Sequence, residues 1–168
     1  MIKRFKDKVP KIAESAFVSE AAYVIGDVEI GENSSVWPGA VIRGDFASIK
    51  IGNNTQIEDN CVLHTGEPME IGDDVHIGHS AVIHCHKIGN RVLIGNNATL
   101  LDSAEIGTSC LIGANSLVSR GMKIPDKSFA TGMPAEVRGE PTAEQLALIE
   151  KGVLFYIRLA KEYKEQGL

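Results

Sequence analysis

Large side chains are scarce in this 168-residue chain: aromatics make up 5% of it, with a single Trp. A core built on big rings is excluded, and aliphatic residues must fill the interior. Cysteine is nearly absent too. The three present, Cys61, Cys85 and Cys110, are odd in number and form no CxxC pair, which argues against both a disulfide framework and a thiolate zinc knot. No apolar run approaches the roughly 20 residues needed to cross a bilayer, so no membrane span is expected. The opening MIKRFKDKVPK carries charges with no apolar stretch behind them, unlike a secretory leader, and the expected compartment is the cytosol. Positive charge is not in excess either: 17 Lys+Arg against 22 Asp+Glu give a net charge of −5, leaving no basic stripe for nucleic acid. What the chain does have is glycine, 17 residues of it.

A period of six organises most of the sequence. Aliphatic residues fall at Val18, Val24, Ile30, Val36 and Ile42, resume at Ile51, Ile57 and Leu63, then at Ile71, Ile77 and Ile83. The last run is Ile88, Ile94, Leu100, Ile106, Ile112, Val118 and Ile124. Small or β-branched residues follow four positions later, as at Ala22, Ala40, Thr55, Cys61, Ala81, Ala98 and Cys110, and glycine often follows directly, as at Gly31, Gly52, Gly72, Gly78 and Gly95. A helix needs a period near 3.6 and a simple amphipathic strand a period of 2. Six fits neither, and an ordinary β-sandwich would not hold so long a register. It fits an all-β solenoid of short parallel strands with three sides per coil, in which glycine is expected to take corners where a side chain would be strained. One coil is then about 18 residues, and neighbouring coils stack at about 4.8 Å.

The β-helix domain is assigned to residues 1–131, with repeats over about 18–124. Residues 132–141, GMPAEVRGEP, read as an irregular exit, and 142–168 as a C-terminal segment holding one amphipathic helix, about 142 to 165. Thr142 with Gln145 three residues later makes a capping box, and Leu146, Ile149, Val153, Ile157 and Ala160 recur at helical spacing. Gly152 weakens this helix locally.

The register slips between Ile42 and Ile51, between Leu63 and Ile71, and between Ile83 and Ile88. Insertions in a solenoid become loops on one face, often the functional one. His64 and His84 replace the corner glycine on adjacent coils, with Arg43 one coil earlier, so the three share a corner. His79 lies on the preceding corner, where Asp59 stacks beneath it and Glu58 stacks on Gly78. Within one chain His79 cannot join the other two on one ion, because zinc holds imidazole nitrogen at about 2.0 to 2.1 Å. A threefold arrangement of three chains would bring the first corner of each against the second corner of the next and create three His₃ sites. His76, ahead of core Ile77, and His86, in the shortened repeat, read as ordinary surface or strand residues; His84 with His86 is a weaker rival ligand pair. Cys61 and Cys110 read as core fillers, and Cys85 as no ligand.

These residues together carry a resemblance. The hexapeptide prism, the RGD at Arg43 to Asp45, the EDNCVLH ending in His64, the GHSAVIH giving His79 and His84, and the GMPAEVR exit are similar to the gamma-class carbonic anhydrase family. The resemblance implies a left-handed parallel β-helix with a C-terminal α-helix and a homotrimer. It implies a metal at each subunit interface, Zn2+ with Co2+ or Fe2+ as alternatives, bound by His64 and His84 of one chain and His79 of the next. It implies reversible hydration of carbon dioxide to bicarbonate by a metal-bound hydroxide, with Arg43, Asp45 and Asp59 forming salt links across the interface. Two departures stand out. Glu58 occupies a place where the family commonly has Gln, and only TGEPME separates His64 from Ile71, so a long acidic loop for proton transfer is missing. Glu58 and Tyr156, the latter on the helix, become the candidate proton-handling groups, with Glu67 a weaker one, while Arg43 and Asp59 hold the corners in register. The alternatives are a hexapeptide acyltransferase using coenzyme A, and a metal-binding trimeric scaffold with little hydratase activity.

Overall fold

The computed structural model describes residues 1–168. The chain winds as a left-handed parallel β-helix of about seven turns, followed by a single C-terminal helix. Every strand pairing between coils is parallel, and the aliphatic hexad residues meet their counterparts one coil on: Val36 meets Ile57, Ile77 meets Ile94, Ile94 meets Ile112. Their side chains form one continuous core of 33 buried residues running the length of the coil. An interior made of stacked Ile, Leu and Val columns has no slot for a large ring, which accounts for the low aromatic content. No helix is long and apolar enough to cross a membrane.

The three sides differ outside this common core. On the first side Tyr23, Val41, Val62, Val82, Thr99 and Leu117 stack in register and point outward, leaving an apolar stripe in which Val62 and Val82 are exposed. On the second, Lys11, Glu29, Lys50, Glu70, Lys87, Glu105 and Lys123 stack in strict alternation of sign. Its end pairs close at 2.8 Å for Lys11 to Glu29 and 3.0 Å for Lys123 to Glu105. On the third, the outward residues Phe17, Ser35 and Gln56 are buried because the helix α1 (Ala143–Gln166) covers them. Phe17, Trp37 and Ala160 form a second small core there, with Tyr156 and Tyr163 packed on it.

The helix begins where the capping box places it: Thr142 accepts from the Gln145 backbone and the Gln145 side chain accepts from the Thr142 backbone. Two expectations change at the solenoid ends. The coil starts earlier than residue 18, since Ile2–Lys3 and Lys11–Ile12 both pair with Tyr23–Ile30. The exit is regular rather than irregular: Phe129–Gly132 pairs antiparallel with Ala135–Gly139, which closes the last coil edge.

The role of the hexad glycines also changes. Gly31, Gly52, Gly72 and Gly95 do not adopt left-handed backbone; that conformation falls on Asn33, Asn54, Asp74 and Asn97, two residues further on, with φ between 54° and 58°. Asn and Asp tolerate it better than most residues. The glycines are required instead by the approach of the next coil. A Cβ on Gly52 would lie 2.5 Å from Asp73 Oδ1 and 2.6 Å from the Gly72 carbonyl oxygen. The same corner carries a ladder of side-chain acceptors: Glu32 N–H donates to Asn53 Oδ1, Asn53 N–H to Asp73 Oδ1, and Asp73 N–H to Asn90 Oδ1, at 2.7 to 2.9 Å.

Gly52→Ala is therefore expected to lower stability by about 1 to 3 kcal/mol through overpacking. Gly66→Ala, where an added Cβ meets nothing within 4 Å, should be neutral or slightly stabilising. Urea unfolding of the two variants checks the contrast, and equal effects would contradict the close-approach account.

Candidate metal centre

Two of the three register slips lengthen a coil beside the first side. Arg43 pairs with His64, 21 residues on, and Val62 with Val82, 20 residues on. Because the strand ladders stay aligned across these insertions, His64 and His84 come to one corner with ring centroids 5.4 Å apart. Asp45 lies in the same cluster, with His64 Nε2 3.1 Å from its Oδ1 and Arg43 Nη1 donating to its Oδ2 at 2.7 Å. The Phe46 ring, itself 79% exposed, meets His64 edge-on at 5.6 Å. His84 Nδ1 lies 3.0 Å from Asp102 Oδ1 but out of line for a hydrogen bond, so this buried nitrogen has no bonded partner.

His79 sits on the other corner. Its Nδ1 is 3.0 Å from Asp59 Oδ2 and its Nε2 is 3.0 Å from Glu58 Oε2. No three His, Cys, Asp or Glu side chains of the single chain converge on one metal position. The donor chemistry suits a borderline divalent ion: two imidazoles on one corner, one on the other, and carboxylates around both.

Glu58 is the one carboxylate among the buried residues, 3% exposed. Its Oε1 is 2.8 Å from His76 Nε2, and its Oε2 accepts from the His79 backbone N–H at 3.0 Å. Burial pushes its pKa up, but contact with His76 and the Tyr156 hydroxyl outweighs this and holds the carboxyl below the ordinary range. The same arrangement acts oppositely on Tyr156, whose hydroxyl is raised by burial and by the neighbouring carboxylate. Tyr156 reaches this point from α1, its ring packed edge-on against His76 at 5.1 Å and Trp37 at 5.4 Å.

His76, read from the sequence as an ordinary strand residue, thus joins Glu58 and Tyr156 in one cluster. The signal was available: His76 pairs in register with Gln56, so it shares the outward parity of Glu58 two positions along the adjacent strand. Asp102 beside His84 was missed as well. Of the remaining candidates, Glu67 Oε1 accepts from Ser103 Oγ at 2.7 Å, and His86 Nδ1 contacts the Pro68 carbonyl at 2.9 Å. Cys61, Cys85 and Cys110 are buried core residues, and burial pushes the Cys61 and Cys85 thiols up to about 12.

The fold and this site define a hexapeptide-repeat protein. The family model described as "Bacterial transferase hexapeptide (six repeats)" matches residues 10–44 and 85–120. More specific are relatives along nearly the whole chain. A carbonic anhydrase of Geobacillus kaustophilus is 42% identical over 99% of this chain and 89% of its own length. Gamma carbonic anhydrase 2, mitochondrial, of Arabidopsis thaliana is 38% identical over 96% of this chain, which spans only 61% of that relative. Among solved structures, an acetyltransferase candidate from Bacillus cereus has a TM-score of 0.95 at 43% identity, covering 98% of this chain and 97% of that one. The chain belongs to the gamma carbonic anhydrase family.

Glu58→Gln is expected to cost about 1 to 3 kcal/mol of stability at pH 7. A carboxyl whose pKa is depressed on folding stabilises the protein above its unfolded value, ordinarily 4.5, and that contribution is lost as pH falls through the folded value. The gap between parent and variant should therefore hold from neutral pH down to the ordinary value of 4.5 and close as the pH falls below it. A gap that stays constant below that value in urea titrations would contradict this.

Proposed function

We propose that the protein catalyses the reversible hydration of carbon dioxide to bicarbonate as a homotrimer. A divalent ion, Zn2+ with Co2+ or Fe2+ as alternatives, is held at each interface by His64 and His84 of one protomer and His79 of its neighbour. The observation that carries this reading is the placement of three imidazoles on two corners of one side. An edge-to-face imidazole pair lies at one edge of the apolar first side, and the third imidazole with its carboxylates lies at the other. A side whose exposed middle is Val62 and Val82 is suited to burial against another copy, and such packing presents the two edges to each other. The carbonic anhydrase names of the relatives support the reaction.

Such an ion, bound by three imidazoles, supplies Lewis acidity that makes water a nucleophile toward carbon dioxide near neutral pH. The chain's own residues do the rest. Glu58, ionised and fixed at both oxygens, accepts or orients a proton at the His79 edge. Tyr156, whose hydroxyl lies near the Glu58 carboxylate, shields it from the helix side. Arg43, Asp45 and Asp59 hold the two corners against their counterparts in the next protomer. Glu58 takes the place of the missing acidic loop in moving the proton outward.

A second reading, acyl transfer from coenzyme A, is favoured by structural neighbours such as the Bacillus cereus acetyltransferase candidate. Saturable binding of acetyl-coenzyme A would support it.

His84→Ala should lose both interfacial metal and carbon dioxide hydration, measured by stopped-flow on protein of known metal content. Sedimentation of the parent should give a species of three 18.1 kDa chains. A monomeric parent, or hydration that persists in metal-free His84→Ala, would refute the scheme.

A further inference from the structure

Beneath α1 lies a buried polar cluster that the proposed reaction leaves partly unexplained. Ser35 Oγ accepts from Trp37 Nε1 at 2.9 Å, Gln56 Nε2 donates to the Asn54 carbonyl at 2.6 Å, and His76 meets Glu58 at 2.8 Å. A helix-covered side of a solenoid needs none of these groups for packing, and Leu93 and Leu111 fill the equivalent outward places on the following coils. Polar side chains buried in such a setting cost stability unless something specific requires them.

The geometry points to His76 as a positioning residue for Glu58, locked from behind by Gly152 of α1. Three observations carry this. First, Glu58 Oε1 is engaged by His76 Nε2 while Oε2 is engaged at His79, so the imidazole decides which carboxylate oxygen faces the ligand corner. Second, a carboxylate only accepts, so His76 must carry its proton on Nε2 to bond it. The buried surroundings agree, for Nδ1 is left with no hydrogen-bond partner. Third, a Cβ on Gly152 would lie 3.0 Å from His76 Nδ1 and 3.4 Å from its Cε1. Glycine in a helix interior is less favourable than alanine; here it lets the helix backbone close over the ring and fix its orientation. Helix docking and the aim of Glu58 are thereby joined through one side chain.

The role assigned to Glu58 in hydration rests on the function proposed above, so the test has an arm independent of activity. In metal-free protein, 15N–1H correlation spectra of the imidazoles should show His76 protonated at Nε2. The Glu58 carboxyl 13C resonance should shift in His76→Phe and in Gly152→Ala and return toward the parent position in His76→Gln, which keeps an N–H donor. With zinc loaded, His76→Phe should lower kcat/KM for carbon dioxide hydration about ten-fold. It should cause no further loss in a Glu58→Gln background. An unprotonated Nε2, or losses from His76→Phe and Glu58→Gln that simply multiply, would overturn the proposal. Should His76→Phe fail to fold, the parent spectrum and His76→Gln decide it. A parent with no hydratase activity defeats the proposed function, while the spectra still judge this one.

Discussion

Everything in this molecule depends on successive coils lying one directly on the next at the spacing of a parallel ladder. The hydrogen bonds that enforce it run from coil to coil, for example from Val41 N–H to the Cys61 carbonyl and from Val62 N–H to the Ala81 carbonyl, at 2.8 and 2.9 Å. They are local in space yet about 20 residues apart in sequence, so the fold can be built only if the inserted residues at the slips leave the ladder unbroken. The structure does this by pushing the extra residues out at one corner. As a result His64 and His84 are neighbours despite the uneven coil lengths between them, and Arg43 completes the column.

That constraint explains why so much was legible in the sequence. A hexad repeat converts position directly into side and coil, and the stacked His64 and His84, the separate corner of His79, and the Asp59 beneath it all follow from counting. The helix start was equally legible because capping chemistry is local to Thr142 and Gln145. What escaped was whatever depends on the approach of another element. Counting shows that glycine follows the core aliphatics but not whether backbone angle or the neighbouring coil demands it; the answer at Gly52 is the neighbour. Gly152 looked like a weak point in a helix until His76 was seen beneath it. His76 itself was placed correctly on its strand, yet its partners are a carboxylate one coil away and a tyrosine some 80 positions later in the chain.

The three sides divide the labour of a protein that is one domain thick. One is closed by its own helix, one is saturated with charge, and one is left apolar between the corner of His64 and His84 and the corner of His79. Glu58 links two of these regions: one oxygen contacts His76 beneath the helix and the other accepts from the His79 backbone N–H at the corner.

The Lys and Glu column on the second side has a consequence for how such a solenoid can change length. Each coil there carries a single sign opposite to both neighbours. Duplicating one coil would set two like charges face to face at strand spacing, whereas duplicating two adjacent coils would leave the alternation intact. Growth of this prism, whether by natural tandem duplication or by grafting, is thus easiest by even steps.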